Sequence, residues 1–220
     1  MKKIGNWYCA DSTKDRVALM VEEELFPCID AITQALKYVK KFDNAIDIGT
    51  WIGDSTVTIA NKFKNVLGFE ANQEMFECCI KNLEIRNITN CKIKNIGISN
   101  KNGVQNFVNN NFSAWISTLE EKDLIGQITI NVNTIRLDDL NLNDIDFIKI
   151  DVDSHEGYLL EGAEQFFKHN SPVILIENKL RSHNRQNSDM PDPEKLLNQL
   201  GYKNVQKIGK ADFIFTKSDE

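Results

Sequence analysis

The stretch AIDIGTWIGDSTVTIANKFKNVLGFE, Ala45 to Glu70, decides the fold. AIDIG (45–49) is a short apolar strand that stops at a glycine, DSTVTIANKF (54–63) follows as a helix, and NVLGFE (65–70) is a second strand. The alternation continues outward with a helix at QEMFECCIKNLEIRN (73–87) and a third strand at CKIKNIGI (91–98). Connections this short imply parallel strands joined by right-handed crossovers. Residues 99–134 are less regular, with a turn at Asn102-Gly103 and strand-like VQNFV and ITINVNTI, and read as an antiparallel excursion. The alternation then resumes with IDFIKID (145–151), GYLLEGAEQFFKH (157–169), PVILIE (172–177) and PEKLLNQLG (193–201).

The end of the chain breaks the parallel rule. YKNVQKI (202–208) and DFIFTK (212–217) are separated only by Gly209 to Ala211. A parallel pair needs a crossover of about a dozen residues, so these two strands must form a hairpin. A standard dinucleotide-binding sheet has no such finish, and the pattern favours the methyltransferase variant of the doubly wound fold. Upstream, the first forty or so residues read as helical. Val17, Leu19, Met20 and Leu25 sit among acids, and Pro27 opens a segment with Ile29, Ile32, Leu36 and Val39 at helical spacing. The expected organisation is an N-terminal helical extension over 1–43 and one domain over 44–220.

Composition narrows the function classes. The 220 residues carry a formal charge of −6, which argues against a protein that binds nucleic-acid phosphate. The longest apolar runs are about five residues, too short for a membrane span. MKKIGNWYCADSTKD lacks the apolar core of a signal peptide. The five cysteines, at 9, 28, 78, 79 and 91, lack metal-ligand spacing and read as reduced thiols of a cytoplasmic protein.

In an open α/β sheet the ligand binds beyond the carboxyl ends of the strands. After the first strand, Gly49 and Gly53 form G-x-x-x-G, with Trp51 where a dinucleotide fingerprint has its second glycine. That glycine admits a pyrophosphate, so Trp51 points to a ligand without one. Glu70, ending the second strand, is placed to accept hydrogen bonds from both ribose hydroxyls. The competing reading is an acid that favours the next helix's N-terminus. Gly97 to Ser99, at the end of the third strand, suit an adenine but are not specific to it. In the fourth strand Phe147, Lys149 and Asp151 share a face, and a lysine in a central parallel strand needs a partner, with Glu177 the obvious one. Beyond it Asp151, Asp153, His155 and Glu156 crowd the sheet's mouth, where Asp153 and Glu156 also suit a helix start.

AIDIGTWIGDST, GFEAN, GISNKNG, TIRLDDL, IDFIKIDVDSHEGYLLEGAE and PVILIE, in that order, resemble the FkbM family of S-adenosylmethionine-dependent methyltransferases. The likeness runs from about residue 44 to 216 and is most specific over Ile145 to Glu164. It implies the class I methyltransferase (Rossmann-like) fold: a mostly parallel sheet with an antiparallel C-terminal strand and helices on both faces. It further implies S-adenosylmethionine as cofactor, with Asp47, Gly49 and Gly53, and with them Thr50, at the methionine end. Glu70 would hold the ribose, and Ser99 and Asp151 complete the cofactor-binding candidates. Asp151 and Glu156 match the acids of the family's K-I-D-V-E-G-x-E block. The chain departs from the family at Asp153-Ser154, where Glu-Gly is usual, and at Asn72, where proline is common.

The implied reaction is methyl transfer to a hydroxyl of a small molecule or sugar, for which the protein supplies alignment and a base. Asp151, His155 and Glu156 are the catalytic candidates, with Asp153 and His183 behind them. A divalent metal held by Asp151, Asp153, His155, Glu156 and Glu177 is the minor reading. Trp7, Tyr8, Trp115 and the 178–192 loop are candidates for the acceptor pocket, with local packing as the alternative for the aromatics. A non-catalytic binding or scaffold protein on the same fold is the second hypothesis. An NAD-linked oxidoreductase is disfavoured by Trp51 and the terminal hairpin, and neither a nucleic-acid nor a membrane partner is expected.

Overall fold

Two strands with the same alternation build the centre. In Ala45-Ile46-Asp47-Ile48 and Phe147-Ile148-Lys149-Ile150, the isoleucines point to one face and the other residues to the opposite face. The computed structural model describes residues 1–26, 28–109, 114–116, 128–153, 155–178 and 191–217. Its elements begin with β1 (Lys2–Ile4), β2 (Trp7–Cys9), α1 (Asp15–Glu22), α2 (Cys28–Ala35), β3 (Asn44–Ile48) and α3 (Asp54–Ala60). There follow β4 (Asn65–Phe69), α4 (Gln73–Ile85), β5 (Cys91–Lys94), β6 (Gly97–Ile98), β7 (Gly103–Asn109), β8 (Ala114–Ile116) and β9 (Ile128–Ile135). The last are β10 (Phe147–Ile150), α5 (Glu156–Glu161), α6 (Glu164–His169), β11 (Val173–Glu177), α7 (Pro193–Gln199), β12 (Tyr202–Ile208) and β13 (Asp212–Lys217).

The main sheet has the order β12-β13-β11-β10-β3-β4-β5. The five strands from β11 to β5 pair in parallel, and β13 runs antiparallel between β11 and β12. This is the class I methyltransferase arrangement, including the antiparallel C-terminal strand. The order in which successive strands are added reverses between β3 and β10, which makes that boundary the switch point where a crevice opens. Ile46, Ile48, Ile148, Ile150, Ile174 and Ile176 pack on one face against α5, α6 and α7, while Ala45, Phe147, Leu175 and Ile214 pack on the other against α2 and α3. No helix among the described residues is long and apolar enough to cross a membrane.

Three expectations change. The N-terminal 43 residues open with an antiparallel hairpin, β1–β2, rather than a helix. Trp7 and Cys9 bury against Val21, Phe26 and Cys78, and Asn82 clasps Tyr8 by accepting from its N–H (2.7 Å) and donating to its carbonyl (2.8 Å). Tertiary contact with α4, not periodicity, makes these strands. The expected third strand splits, because Asn95 turns aside to donate to Glu70 O (2.9 Å), and β6 pairs with β9 in a separate sheet, β6-β9-β7-β8. That second sheet contains the antiparallel excursion. The expected 157–169 helix breaks at Gly162-Ala163, where Gly162 packs so closely on Ser99 that a Cβ would lie 2.1 Å from its carbonyl oxygen.

Asn72 explains one departure from the family pattern, since its side chain caps α4 by accepting from Glu74 N (2.9 Å) and Met75 N (3.3 Å). Lys149 also finds a different partner. It stands beside Asp47 in register, with Nζ 3.4 Å from Asp47 and 3.8 Å from Asp151, so the expected pairing with Glu177 gives way to the strand neighbours. Replacing Lys149 with Met leaves a fully buried Asp47 carboxylate without its cation. The expected loss is about 3–5 kcal/mol of unfolding free energy, read from the urea midpoint.

Candidate functional site

A cavity of about 370 Å³ opens at the carboxyl ends of β3, β4 and β10, beside the switch point. Its volume lies in the range of small-molecule sites. Ile48, Phe69, Ile96 and Ile98 give it apolar walls, Gly49, Trp51 and Glu70 form one rim, and Asp151, Asp153 and His155 form another.

The glycine loop is held by sterics and by one carboxylate. Gly49 has φ +83°, and a Cβ there would stand 1.8 Å from Asp151 O, so only glycine allows the ends of β3 and β10 to close up. Trp51 also lies in the left-handed region, at φ +47°. Its N–H donates to Glu70 Oε2 (2.8 Å), while Asn72 N–H donates to Oε1 (2.9 Å). Glu70 thus clamps the loop after β3 to the turn after β4. A carboxylate offers about four lone-pair sites, so two remain for hydroxyl donors from the cavity. Burial pushes the Glu70 carboxyl up to about 7, against the pull of the two backbone N–H groups and Lys149.

Lys149 anchors the other side. Its Nζ donates to Gly49 O (2.9 Å) in addition to its two ion pairs. Burial opposes its charge, but Asp47 and Asp151 outweigh that and hold the ammonium above the ordinary lysine range. Beyond β10, His155 is 4% exposed and its Nε2 lies 3.1 Å from Ser99 Oγ. Burial drives its imidazole down to about 3, far below the value that suits a base near neutrality. Glu156 is 1% exposed and accepts from Val152 N–H (3.2 Å), tying the turn to the start of α5.

The expected site residues therefore divide. Gly49, Glu70, Asp151 and His155 meet at the cavity, with Asp153 and Glu177 beside them. Asp47, Thr50, Gly53, Ser99 and Glu156 lie behind its wall. Asp47 accepts from Ser55 Oγ (2.8 Å) and Thr56 Oγ1 (2.7 Å), Gly53 packs on Cys79, and Ser99 holds His155. Asp151, Asp153 and Glu177 bring carboxylate oxygens within 4.8 Å of one another, an oxygen set of the type that hard divalent cations take. His183 and residues 179–190 lie outside the described residues, as does the side chain of Trp115. Trp7 does not line the cavity, because it packs edge-on against Phe26 with the Arg86 guanidinium over its ring. Instead Met20, Phe26 and Cys28 cover it from the N-terminal segment, and Asp54 enters its wall from α3. The sequence marks Met20 only as part of a helix and gives no signal for Phe26 or Cys28, whereas Asp54 directly follows Gly53. All five cysteines are free thiols.

Residues 47–203 match the family model described as the methyltransferase FkbM domain. Among solved structures, the chain is similar to a methyltransferase FkbM from Methylobacillus flagellatus KT, at TM-score 0.53 and 15% identity, covering 79% of this chain and 43% of that one. It is also similar to magnesium protoporphyrin IX methyltransferase from Synechocystis PCC 6803, a structure with bound SAM, at TM-score 0.56 and 11% identity, covering 94% and 86%. At these identities the likeness is one of fold. A curated relative, 23S rRNA (uracil(1939)-C(5))-methyltransferase of Psychromonas ingrahamii, is 25% identical over 114 residues. That match takes in 50% of this chain, which spans a quarter of the relative's length.

Two titrations follow. An acid whose folded value lies above its unfolded one is destabilising once ionised. Raising the pH from 4.5 through 7 is therefore expected to remove on the order of 3 kcal/mol of stability through Glu70. The wild type should lose stability between pH 5 and 8 more steeply than Glu70→Gln in urea titrations. His155 should stay neutral, its ring proton shifts flat by NMR from pH 5 to 8.

Proposed function

The chain belongs to the methyltransferase FkbM domain family, and from that membership we propose that it transfers a methyl group from S-adenosylmethionine to a hydroxyl of a small molecule or sugar. The observation that carries the proposal is the convergence of Gly49, Glu70 and Asp151 on one cavity at the switch point. These residues fit the cofactor. The buried Glu70 keeps two acceptor sites for ribose hydroxyls, Ile96 to Ile98 offer an apolar wall for a base, and acids surround the place of a cation. When bound, S-adenosylmethionine supplies a methyl group activated by its sulfonium.

The protein's own contribution is alignment and proton removal. Asp151 is the proposed base, because its side chain is 37% exposed beside the cavity, with Oδ2 3.8 Å from the Lys149 ammonium. His155 and Glu156 complete the proposed catalytic group by positioning, since one holds Ser99 and the other the turn after Asp151. Asp47, Thr50, Gly53 and Ser99 support the cofactor pocket from behind. An uncharged, hydroxylated acceptor suits the net charge of −6 better than a polyphosphate such as RNA. The free thiols favour a reducing, cytoplasmic setting.

Calorimetry with S-adenosylhomocysteine tests the reading first, with saturable one-to-one binding expected. Absence of binding would leave a non-catalytic protein on the methyltransferase fold. Asp151→Asn should lower methyl transfer to a hydroxylated acceptor about 100-fold or more, with a much smaller change in S-adenosylhomocysteine affinity. Equal rates in mutant and wild type would remove Asp151 from the role of base.

A further inference from the structure

Asp54 is a buried acid that the reading so far leaves without a task. It is 6% exposed, opens α3 and lies in the cavity wall. Its Oδ2 accepts from the Cys28 thiol at 2.9 Å, a weak donor, and no lysine or arginine among the described residues lies within salt-bridge distance of it. Burying a carboxylate without a close cation is unfavourable, and a place in the first turn of a helix does not require burial. Burial accordingly pushes its carboxyl above the ordinary range.

The nearest acceptors already have partners, although Glu70 keeps two sites for ribose hydroxyls. Gly49 O takes the Lys149 ammonium, Asp47 faces Ser55, Thr56 and Lys149 from behind the wall, and both Glu70 oxygens take backbone N–H groups. Ser55 spends its hydroxyl proton on Asp47. Asp54 is thus the cavity carboxylate on the glycine-loop side whose side-chain donor is only a thiol.

We propose that Asp54, seated against Cys28, is the recognition site for the α-ammonium of the cofactor's amino-acid moiety. The inference rests on S-adenosylmethionine being the cofactor and adds the group that reads its charged tail. The arriving ammonium supplies the missing cation, and the buried setting makes the hydrogen bond selective. A tail without the amino group leaves the carboxylate with only the Cys28 thiol and the Ser55 backbone N–H.

Three ligands test this by calorimetry on the intact chain: S-adenosylhomocysteine, its analogue lacking the α-amino group, and 5′-methylthioadenosine, which lacks the whole amino-acid tail. The wild type should prefer S-adenosylhomocysteine over the des-amino analogue by about 10–100-fold. In Asp54→Asn that preference should shrink to about threefold or less, with the affinity for 5′-methylthioadenosine unchanged. The ligand-free variant should melt at or above the wild-type temperature, because a buried charge has been removed. Equal binding of the two tailed ligands by the wild type overturns the proposal, as does undiminished discrimination by the variant. The wild-type comparison stands without any variant, and Asp54→Ser serves if Asp54→Asn does not fold. If 5′-methylthioadenosine binds and the tail is ignored, Asp54 fails alone. If none of the three binds, the cofactor reading fails with it.

Discussion

Lys149 sits in the middle of the sheet with its charge intact, and much of the site depends on that placement. A lone ammonium at this depth would be prohibitively unfavourable. It is tolerated because the parallel register of β3 and β10 sets Asp47 beside it. The same ammonium reaches Gly49 O, fixing the first residue of the glycine loop, and lies near Asp151 at the mouth of β10. One cation therefore couples the strand pair at the switch point, the loop that follows it and the acid at its edge. Asp47 extends the coupling into α3 through the hydroxyls of Ser55 and Thr56.

Glu70 does for β3 and β4 what Lys149 does for β3 and β10. Its two oxygens bind the backbone of the glycine loop and of the turn before α4, and this bond supports the left-handed Trp51. Left-handed backbone at a non-glycine residue costs about 1–3 kcal/mol and persists where surrounding contacts enforce it. Both charged residues lie in low-dielectric surroundings, so each must satisfy the other's neighbourhood. Lys149 favours the ionised forms of Glu70 and Asp54 as well as pairing Asp47. The groups that line the cavity also hold the fold together.

Much of this was legible in the chain. The period-two strands, the glycine loop and the terminal hairpin each rest on local rules of spacing, and the topology follows from them. The candidate site was legible to a lesser degree. Glu70 and Asp151 stand at strand ends, where residue number gives spatial position directly. Asp47 lies within β3 and Ser99 just after β6, yet their side chains turn into the protein to hold Ser55, Thr56 and His155. A residue's place on an element does not reveal which neighbours will claim its hydrogen bonds. The N-terminal hairpin escaped for a similar reason. Asn82, more than seventy residues away, supplies the hydrogen bonds that dock it.

The amino-acid sequence by itself determined the alternation of strands and helices from β3 onward, the antiparallel finish and the acids at the strand ends, because these follow from periodicity and the length of connections. Tertiary structure alone decided which charges meet. Lys149 pairs with Asp47 across the sheet rather than with Glu177, His155 is neutral because it is buried against Ser99, and Asp54 faces the cavity beneath Cys28. The physical reason is desolvation. A charge in a string of letters carries its aqueous character, and only packing removes the water and so selects its partner and its protonation state.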